Sequence, residues 1–169
     1  MAGRFLYLQN DSGPGRPALA KLDGHRFDFV QQYEADRIDW TAYDAVLVSM
    51  FADQVHLSEI AGKIAAYLDA GGTLIINGHI ARPFLPELSR FAGFFGRGTN
   101  PPPEGAEVLY SVGPDHVAVD WIYDRPQGGR IFVHSGIELW MFLAGDFGEG
   151  PSYLQGFFDW FAETSKVAA

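Results

Sequence analysis

The most regular pattern of apolar and polar positions lies between residues 43 and 79. Ala45–Val48 is a continuous apolar run, and Thr73–Ile76 has the composition of a second buried strand. Between them, apolar residues recur at helical spacing, which predicts an amphipathic helix. Gly71 and Gly72 can adopt the left-handed conformation that ends such a helix. The apolar positions of the helix are Leu57, Ile60, Ile64, Tyr67 and Leu68.

This strand–helix–strand order predicts a right-handed βαβ unit and therefore a parallel sheet. Ligands of such sheets bind beyond the carboxyl ends of the strands, so the residues that follow the two strands are candidate site residues. They are Ser49 and Met50 after the first strand, and Asn77, Gly78 and His79 after the second.

Two further strands are predicted before this unit, at Arg4–Gln9 and Phe27–Val30. A short helix is predicted at Ala18–Leu22 and a helical turn at Tyr33–Ile38. The segment Asn10–Pro17 has the composition of a loop, and its glycines match neither the P-loop nor the G-x-G-x-x-G pattern.

The later part of the chain predicts an antiparallel extension of the sheet. Strands are expected at Glu107–Ser111, Val117–Tyr123 and Arg130–His134, and the Asp124–Gly129 turn joins the last two as a hairpin. A helix is expected to start near Pro151. Its apolar stripe consists of Leu154, Phe157, Phe158 and Phe161.

Between the βαβ unit and the hairpin the pattern is less regular. Pro86–Phe91 is predicted to form a short helix. Gly93–Gly105 contains three consecutive prolines and is predicted to be a long loop, a kind of segment that is often functional or interfacial. The chain as a whole is predicted to be a single α/β domain, residues 1–169, with a mostly parallel central sheet.

Composition narrows the classes of partner. The 169 residues carry a net charge of −9 and no basic stripe, so nucleic acid is not an expected partner. There is no cysteine, which excludes disulfides, thiolate metal sites and a cysteine nucleophile. We expect no membrane association and a cytoplasmic location, because no apolar run is long enough to span a bilayer and no signal-like core precedes the first strand.

Three stretches of this chain carry a family resemblance, namely Tyr43–Met50, Tyr67–Gly78 and Gly129–Glu138. They resemble the class I glutamine amidotransferase-like superfamily, and in particular its ThuA-like, sugar-associated branch. The resemblance implies a flavodoxin-like three-layer sandwich, in which the backbone amides of Ser49 and Met50 serve an oxyanion hole. Self-association is common in this superfamily, so the resemblance also implies a homodimer.

The differences from the superfamily concern its chemistry. The place of the nucleophilic cysteine falls on Asn77–His79, and this chain has no cysteine. The histidine and its acidic partner, His134 and Glu138, are separated by three residues instead of one. A thioester requires a thiolate, so glutaminase activity is excluded. A fold can outlast such a loss, because fold does not dictate chemistry.

His79 and His134 are the candidate catalytic residues, because imidazole can act as a general base near neutral pH. Asn77 could donate its amide to an oxyanion or a sugar hydroxyl. Each also has a structural interpretation, namely a hydrogen-bonded histidine at the rim of a pocket or an asparagine that caps the following turn. A metal between the two histidines would need a third ligand, for which Asp53, Asp115 and Glu138 are available, but no recognised ligand spacing is present. We therefore predict neither a metal nor a cofactor.

Three other residues complete the predicted ligand-binding set. Arg82 could bind a carboxylate or phosphate through both guanidinium nitrogens, or could form a surface ion pair. Glu138 lies either at a pocket or at the start of a surface loop. Asn10 follows the first strand and so belongs to the same edge of the sheet.

These observations leave three functions open. The first is a catalytically divergent domain that binds a small polar ligand, for example a sugar derivative, at the carboxyl ends of the strands. The second is a hydrolase or isomerase that uses His79 or His134 as general base. The third is a protein-interaction module built on the aromatic residues of the late loop and tail. Those residues are Phe91, Phe94, Phe95, Trp140, Phe142 and Trp160.

Overall fold

The computed structural model describes residues 2–10, 15–94, 97–144 and 150–165. The side chains of Phe94, Arg97, Phe142, Ala144, Gly150 and Pro151 are outside this description, as is Phe95. The strands are β1 (Arg4–Gln9), β2 (Arg26–Gln31), β3 (Ala45–Val48), β4 (Thr73–Asn77), β5 (Ala92–Phe94), β6 (Arg97–Thr99), β7 (Glu107–Val112), β8 (Val117–Asp124) and β9 (Arg130–His134). The α-helices are α1 (Gly15–Leu19), α2 (Gln54–Glu59), α3 (Ala61–Asp69), α4 (Met141–Ala144) and α5 (Gly150–Thr164), and short 3-10 helices lie at Gln32–Arg37 and Trp40–Ala42.

Seven strands form one sheet in the order β2-β1-β3-β4-β9-β8-β7. The first five are parallel to one another, and β8 and β7 are added as antiparallel strands. The predicted α/β class, the mostly parallel sheet and the hairpin between β8 and β9 are thus confirmed. In the register of the sheet, His134 on β9 lies beside Asn77 on β4 and Asp120 on β8.

The two faces of the sheet bury separate hydrophobic clusters, because successive side chains of a strand point to opposite faces. On one face, Val46, Ile76 and Val133 pack with apolar residues of α2 and α3. On the other face, Leu47 and Phe132 pack with residues of α1, α4 and α5. Neighbouring side chains at the carboxyl ends of β3, β4 and β9 therefore point to opposite faces of the sheet, one beside α2 and α3 and the other beside α1, α4 and α5.

The predicted strands at Arg4–Gln9 and Arg130–His134 have the observed bounds. The C-terminal helix begins at Gly150, beside the predicted Pro151, and its stripe residues Leu154, Phe158 and Phe161 are buried. The first helix begins earlier than predicted, at Gly15 instead of Ala18. None of the helices in the described ranges combines the length and the apolar content that a bilayer span requires.

Three predictions for the middle of the chain were incomplete or wrong. The amphipathic helix is interrupted at Ile60, whose φ of −96° and ψ of 14° separate α2 from α3. Pro86–Phe91 is not a helix, because the Phe91 amide donates to the carbonyl of Ile80 instead of to a preceding helical turn. Gly93–Gly105 is not entirely loop, since β5 and β6 form a two-stranded antiparallel sheet there.

Candidate functional site

A cavity of about 1010 Å³ opens at the carboxyl ends of β3, β4 and β9. We call it the edge cavity. Three of its lining residues, Gly98, Gly113 and Gly136, are glycines, and at Gly113 nothing lies within 4 Å of the position that a Cβ would occupy. The other described lining residues are Met50, His79, Val112, Pro114, Asp115, Val117, Val119, Ser135 and Ile137.

His79 is the half-buried imidazole of the edge cavity. Its ring stacks on Phe91, with ring centroids 3.8 Å apart and planes 23° from parallel. Burial lowers the pKa of His79 below its ordinary value near 6.5, so the ring is neutral at pH 7. Its backbone carbonyl accepts from the Gln54 side chain at 2.8 Å, but in the described part of the chain no hydrogen bond engages the ring nitrogens. A ligand can therefore bond to the imidazole without displacing a protein partner.

Gly78 brings the β4 turn close to Met50. Its φ of +87° lies in the left-handed region, and a Cβ at this position would lie 2.6 Å from Cβ of Met50. The Gly78 amide donates to the His134 carbonyl at 2.8 Å, and the Gly78 carbonyl accepts from Nδ2 of Asn100 at 2.8 Å. Only glycine combines this backbone conformation with this packing.

Below the edge cavity lies a polar cluster around the completely buried Glu138. The carboxylate accepts from the Tyr7 hydroxyl at 2.9 Å, from the Ser49 hydroxyl at 3.3 Å and from Nε1 of Trp140. Burial and the neighbouring Glu138 charge raise the pKa of Tyr7 well above its ordinary value, so the phenol remains a donor. Trp140 is also completely buried, so it is not available to a partner protein.

Asn77 belongs to the same buried region. Its Oδ1 accepts from the Leu139 amide at 3.1 Å, while its Nδ2 is buried without a hydrogen-bond partner in the described structure. The predicted residues Ser49, Asn77 and Glu138 are thus brought together. They lie within the protein, where they position the chain that follows β9, and none of the three lines the edge cavity.

His134 lines a different space, on the opposite face of the sheet. This groove, of about 580 Å³, lies between β7–β9 and α5, and we call it the α5 groove. The walls are mostly aromatic, with Tyr110, Tyr153, Phe157 and Trp160 among the lining residues. Burial, together with the charge of Asp120, raises the pKa of Tyr153.

The imidazole of His134 has a partner at each nitrogen. Nδ1 lies 2.5 Å from Oδ1 of Asp120, and Nε2 lies 2.8 Å from the carbonyl oxygen of Ile137. His79 and His134 therefore do not share a site, since one lines the edge cavity and the other lines the α5 groove.

The segment from His134 to Leu139 separates the two spaces. Ser135, Gly136 and Ile137 line the edge cavity, whereas His134 and Leu139 line the α5 groove. Glu138 lies between these groups and holds the segment through its buried hydrogen bonds.

The remaining predicted residues lie around the edge of the sheet. Arg82 has an exposed side chain, and its backbone amide donates to Oε1 of Gln54 at 2.8 Å. Nδ2 of Asn10 donates to the Phe51 carbonyl at 2.9 Å, which links the ends of β1 and β3. Neither residue lines the edge cavity. Among the described residues, no three histidine or acidic side chains converge as a set of metal ligands.

Asp120 was not among the predicted site residues, and Phe91 was named only as part of an aromatic interaction surface. A local signal for Asp120 did exist, because the turn that pairs Asp124 with Arg130 also sets Asp120 opposite His134. No comparable signal marks Phe91, which reaches His79 through an irregular segment. We found no protein family, curated protein or solved structure that matches this chain.

Proposed function

We propose that this chain is a catalytically divergent, non-glutaminase domain of the amidotransferase-like superfamily that binds a small polar ligand in the edge cavity. A neutral, hydroxyl-rich molecule such as a sugar derivative suits the cavity best. The observation that carries this proposal is the His79 imidazole, which lines the cavity, is neutral at pH 7 and has no protein partner at its ring nitrogens within the described ranges.

Other features of the cavity agree with a polar, uncharged ligand. At Gly113 nothing lies within 4 Å of the position that a Cβ would occupy, so a hydroxyl can approach the backbone closely there. Asp115 provides an acceptor at the rim, and the net charge of −9 disfavours a strongly anionic ligand. The cavity also lies at the strand ends where parallel sheets generally bind ligands.

The superfamily assignment is supported by the order of the parallel strands. With β9 counted as the fifth strand, the order 2-1-3-4-5 is that of flavodoxin-like sheets. Helices contribute to the hydrophobic clusters on both faces, which agrees with a three-layer arrangement. The absence of cysteine supports a function other than glutamine hydrolysis.

A thermal-shift screen tests the binding function directly. The panel contains sugars, sugar phosphates, amino acids and nucleotides, and the proteins are the wild type, His79→Gln and His56→Gln. His56 is a half-buried histidine outside the cavity lining, so it provides the matched control. A ligand at about 100 times its Kd adds about 2.7 kcal/mol, which shifts Tm by roughly 5–10 °C in a domain of this size.

We expect a neutral sugar derivative to give such a shift with the wild type and His56→Gln, and a much smaller one with His79→Gln. Equal shifts for all three proteins would contradict binding beside His79. A panel that produces no shift with the wild type would remove the ligand-binding function.

An enzymatic function in the same cavity is the second candidate, and the lowered pKa of His79 favours it. A neutral imidazole can accept a proton from a bound substrate, so His79 would be the general base of a hydrolase or isomerase. His134 is less suited to this role, because both of its ring nitrogens are engaged. Turnover of a ligand found in the screen, with loss of kcat in His79→Gln, would distinguish catalysis from binding.

A further inference from the structure

The α5 groove has the features of a second ligand-binding site, independent of the edge cavity. It lies on the opposite face of the sheet and shares no lining residue with the edge cavity. Its volume, about 580 Å³, is within the usual range for pockets that hold small molecules. Tyr153 and Trp160 remain 54% and 41% exposed, so their rings form an accessible aromatic wall.

Two buried polar side chains form the floor of this otherwise apolar groove. Asp120 and His134 lie opposite each other on β8 and β9 and are only 6% and 8% exposed. Polar side chains buried this deeply are usually satisfied completely by hydrogen bonds. His134 meets that expectation, with Asp120 at Nδ1 and the Ile137 carbonyl at Nε2.

The bonds of this pair determine what Asp120 can offer a ligand. The Ile137 carbonyl can only accept, so Nε2 of His134 carries a hydrogen. One proton then lies between Nδ1 of His134 and Oδ1 of Asp120, and it is bound either to the nitrogen or to the oxygen. In the first case Oδ2 belongs to a carboxylate, and in the second it is the carbonyl oxygen of a carboxylic acid. Oδ2 is therefore a hydrogen-bond acceptor in both states.

Oδ2 of Asp120 is the polar atom of the floor that remains without a partner. Among the described residues, no donor forms a hydrogen bond to this oxygen. The oxygen also retains some contact with solvent, since it is not one of the fully buried polar atoms without a partner. The small part of the Asp120 side chain that remains exposed lies at the groove. An acceptor in this position favours a ligand that brings a donor and disfavours a ligand that brings a carboxylate.

We infer that the α5 groove binds an aromatic amine, whose ring packs between the aromatic walls and whose ammonium group donates to Oδ2 of Asp120. An ammonium group is a stronger partner for this oxygen than a hydroxyl, because a hydrogen bond from an ionised donor is stronger than one between neutral groups, whether Asp120 is a carboxylate or a carboxylic acid. One face of Trp160 already carries the Arg130 guanidinium, so the exposed ring of Tyr153 and the net charge of −9 are the features that also favour a cation.

A series of probes with one ring system and different head groups tests this inference. We would titrate the protein with 2-(1-naphthyl)ethylamine, 2-(1-naphthyl)ethanol and 1-naphthylacetate, and follow binding by calorimetry and by amide chemical shifts. The expected order of affinity is amine, alcohol, acetate, with shift changes at β8, β9 and α5. Equal affinities for amine and acetate, or shift changes confined to the edge cavity, would overturn the inference.

Three variants locate the interaction. Asp120→Leu removes both oxygens and keeps a side chain of similar shape, so it is expected to weaken the amine about tenfold or more and to leave the acetate unaffected or improved. Tyr153→Ala removes an exposed wall residue on α5, so it keeps the test valid if Asp120→Leu does not fold; it is expected to weaken every probe. Tyr33→Ala is the matched control, because Tyr33 is also 54% exposed and lies outside the groove.

Two further outcomes would also overturn the inference. One is amine binding that neither Asp120→Leu nor Tyr153→Ala changes. The other is a groove that binds no probe because a second copy of the chain covers it, which light scattering would show as a dimer that Tyr153→Ala dissociates. Neither outcome affects the proposed function, since ligands of the edge cavity respond to His79→Gln and not to Tyr153→Ala.

Discussion

The edge cavity and the α5 groove are lined by different kinds of residue, although only the short segment from His134 to Leu139 separates them. The edge cavity is lined by glycines, by aliphatic side chains such as Val119 and Ile137, and by an imidazole whose ring nitrogens have no partner in the described structure. The α5 groove is lined by aromatic rings above a histidine that is bonded at both nitrogens. The first favours a polar ligand that bonds to backbone and imidazole, and the second favours a ring with a donor group.

This contrast shows that a histidine near the end of a strand has no fixed role. His134 is the last residue of β9 and points to the face where Asp120 lies opposite, so its nitrogens are used within the protein. His79 lies two residues beyond β4, after a glycine with positive φ, and its ring projects into a cavity. Availability of the ring nitrogens, more than the type of residue, distinguishes a site residue from a structural one.

The largest loss in the free energy of unfolding is expected from a substitution that disturbs both the edge cavity and the α5 groove. Glu138→Ala would remove the acceptor of Tyr7, Ser49 and Trp140 and release the segment that separates the cavity from the groove. Each buried donor left without a partner costs about 1–3 kcal/mol, so we expect a loss of more than about 3 kcal/mol in the free energy of unfolding. Urea denaturation measures it.

Glu138→Gln is the matched control for this change. The amide oxygen can still accept from Tyr7 and Trp140, and the amide nitrogen can donate to the Ser49 hydroxyl. We expect a loss of less than about 2 kcal/mol. If alanine and glutamine destabilise the protein equally, the hydrogen bonds of Glu138 do not hold the segment in place.

A smaller effect, confined to the edge cavity, is expected from Gly78→Ala. The new Cβ would require a left-handed alanine and would lie 2.6 Å from Cβ of Met50. Strain and overpacking together should cost about 2–3 kcal/mol in the free energy of unfolding. Amide shifts should change around Met50 and His79 and remain unchanged in α5.

Gly62→Ala provides the comparison for that variant. Gly62 is a helical residue of α3, and a Cβ there meets nothing within 4 Å. Because alanine is the better helix former, we expect this variant to be more stable than the wild type by up to about 1 kcal/mol. Destabilisation of the same size in both variants would argue against a special backbone requirement at Gly78.

The smallest effect is the contribution of His79 to the pH dependence of the free energy of unfolding. Burial lowers the pKa of His79, so the unfolded chain binds more protons than the native protein between that lowered pKa and about 6.5. The free energy of unfolding should therefore rise with pH across this window, and the contribution of His79 should be lost as pH falls through it. We expect the His79 ring to titrate below 6.5 by NMR, and His79→Gln to reduce the slope of stability against pH. A midpoint at or above 6.5 would contradict a desolvated ring.

The parts of the fold that the sequence predicted are those with strong local patterns. Apolar runs identified β1, β3, β4 and β9, the turn at residues 124–129 identified the antiparallel hairpin, and the helical stripe identified α5. The prediction failed where tertiary contacts override local preference. At Pro86–Phe91, for example, the buried side chains of Leu85 and Leu88 and the bond from Phe91 to Ile80 stabilise an irregular path instead of a helix.

The candidate site was predicted only in its location. Strand ends indicated Met50, Gly78 and His79, and these residues do meet at one edge of the sheet. The burial of Glu138 was not predicted, because it depends on Tyr7, which is 131 positions away. The pairing of both nitrogens of His134 was not predicted either, although its partners Asp120 and Ile137 are close in the chain.

By itself, the sequence determined the order of the main elements, the parallel pairing of the βαβ unit and the exclusion of a cysteine nucleophile from this chain. Each follows from periodicity over a few residues or from the absence of cysteine. The tertiary structure alone decided that His79 and His134 serve separate spaces and that Glu138 lies beneath both. The reason is physical: period-two alternation in a strand defines two faces, but only packing against distant helices decides what each face encloses.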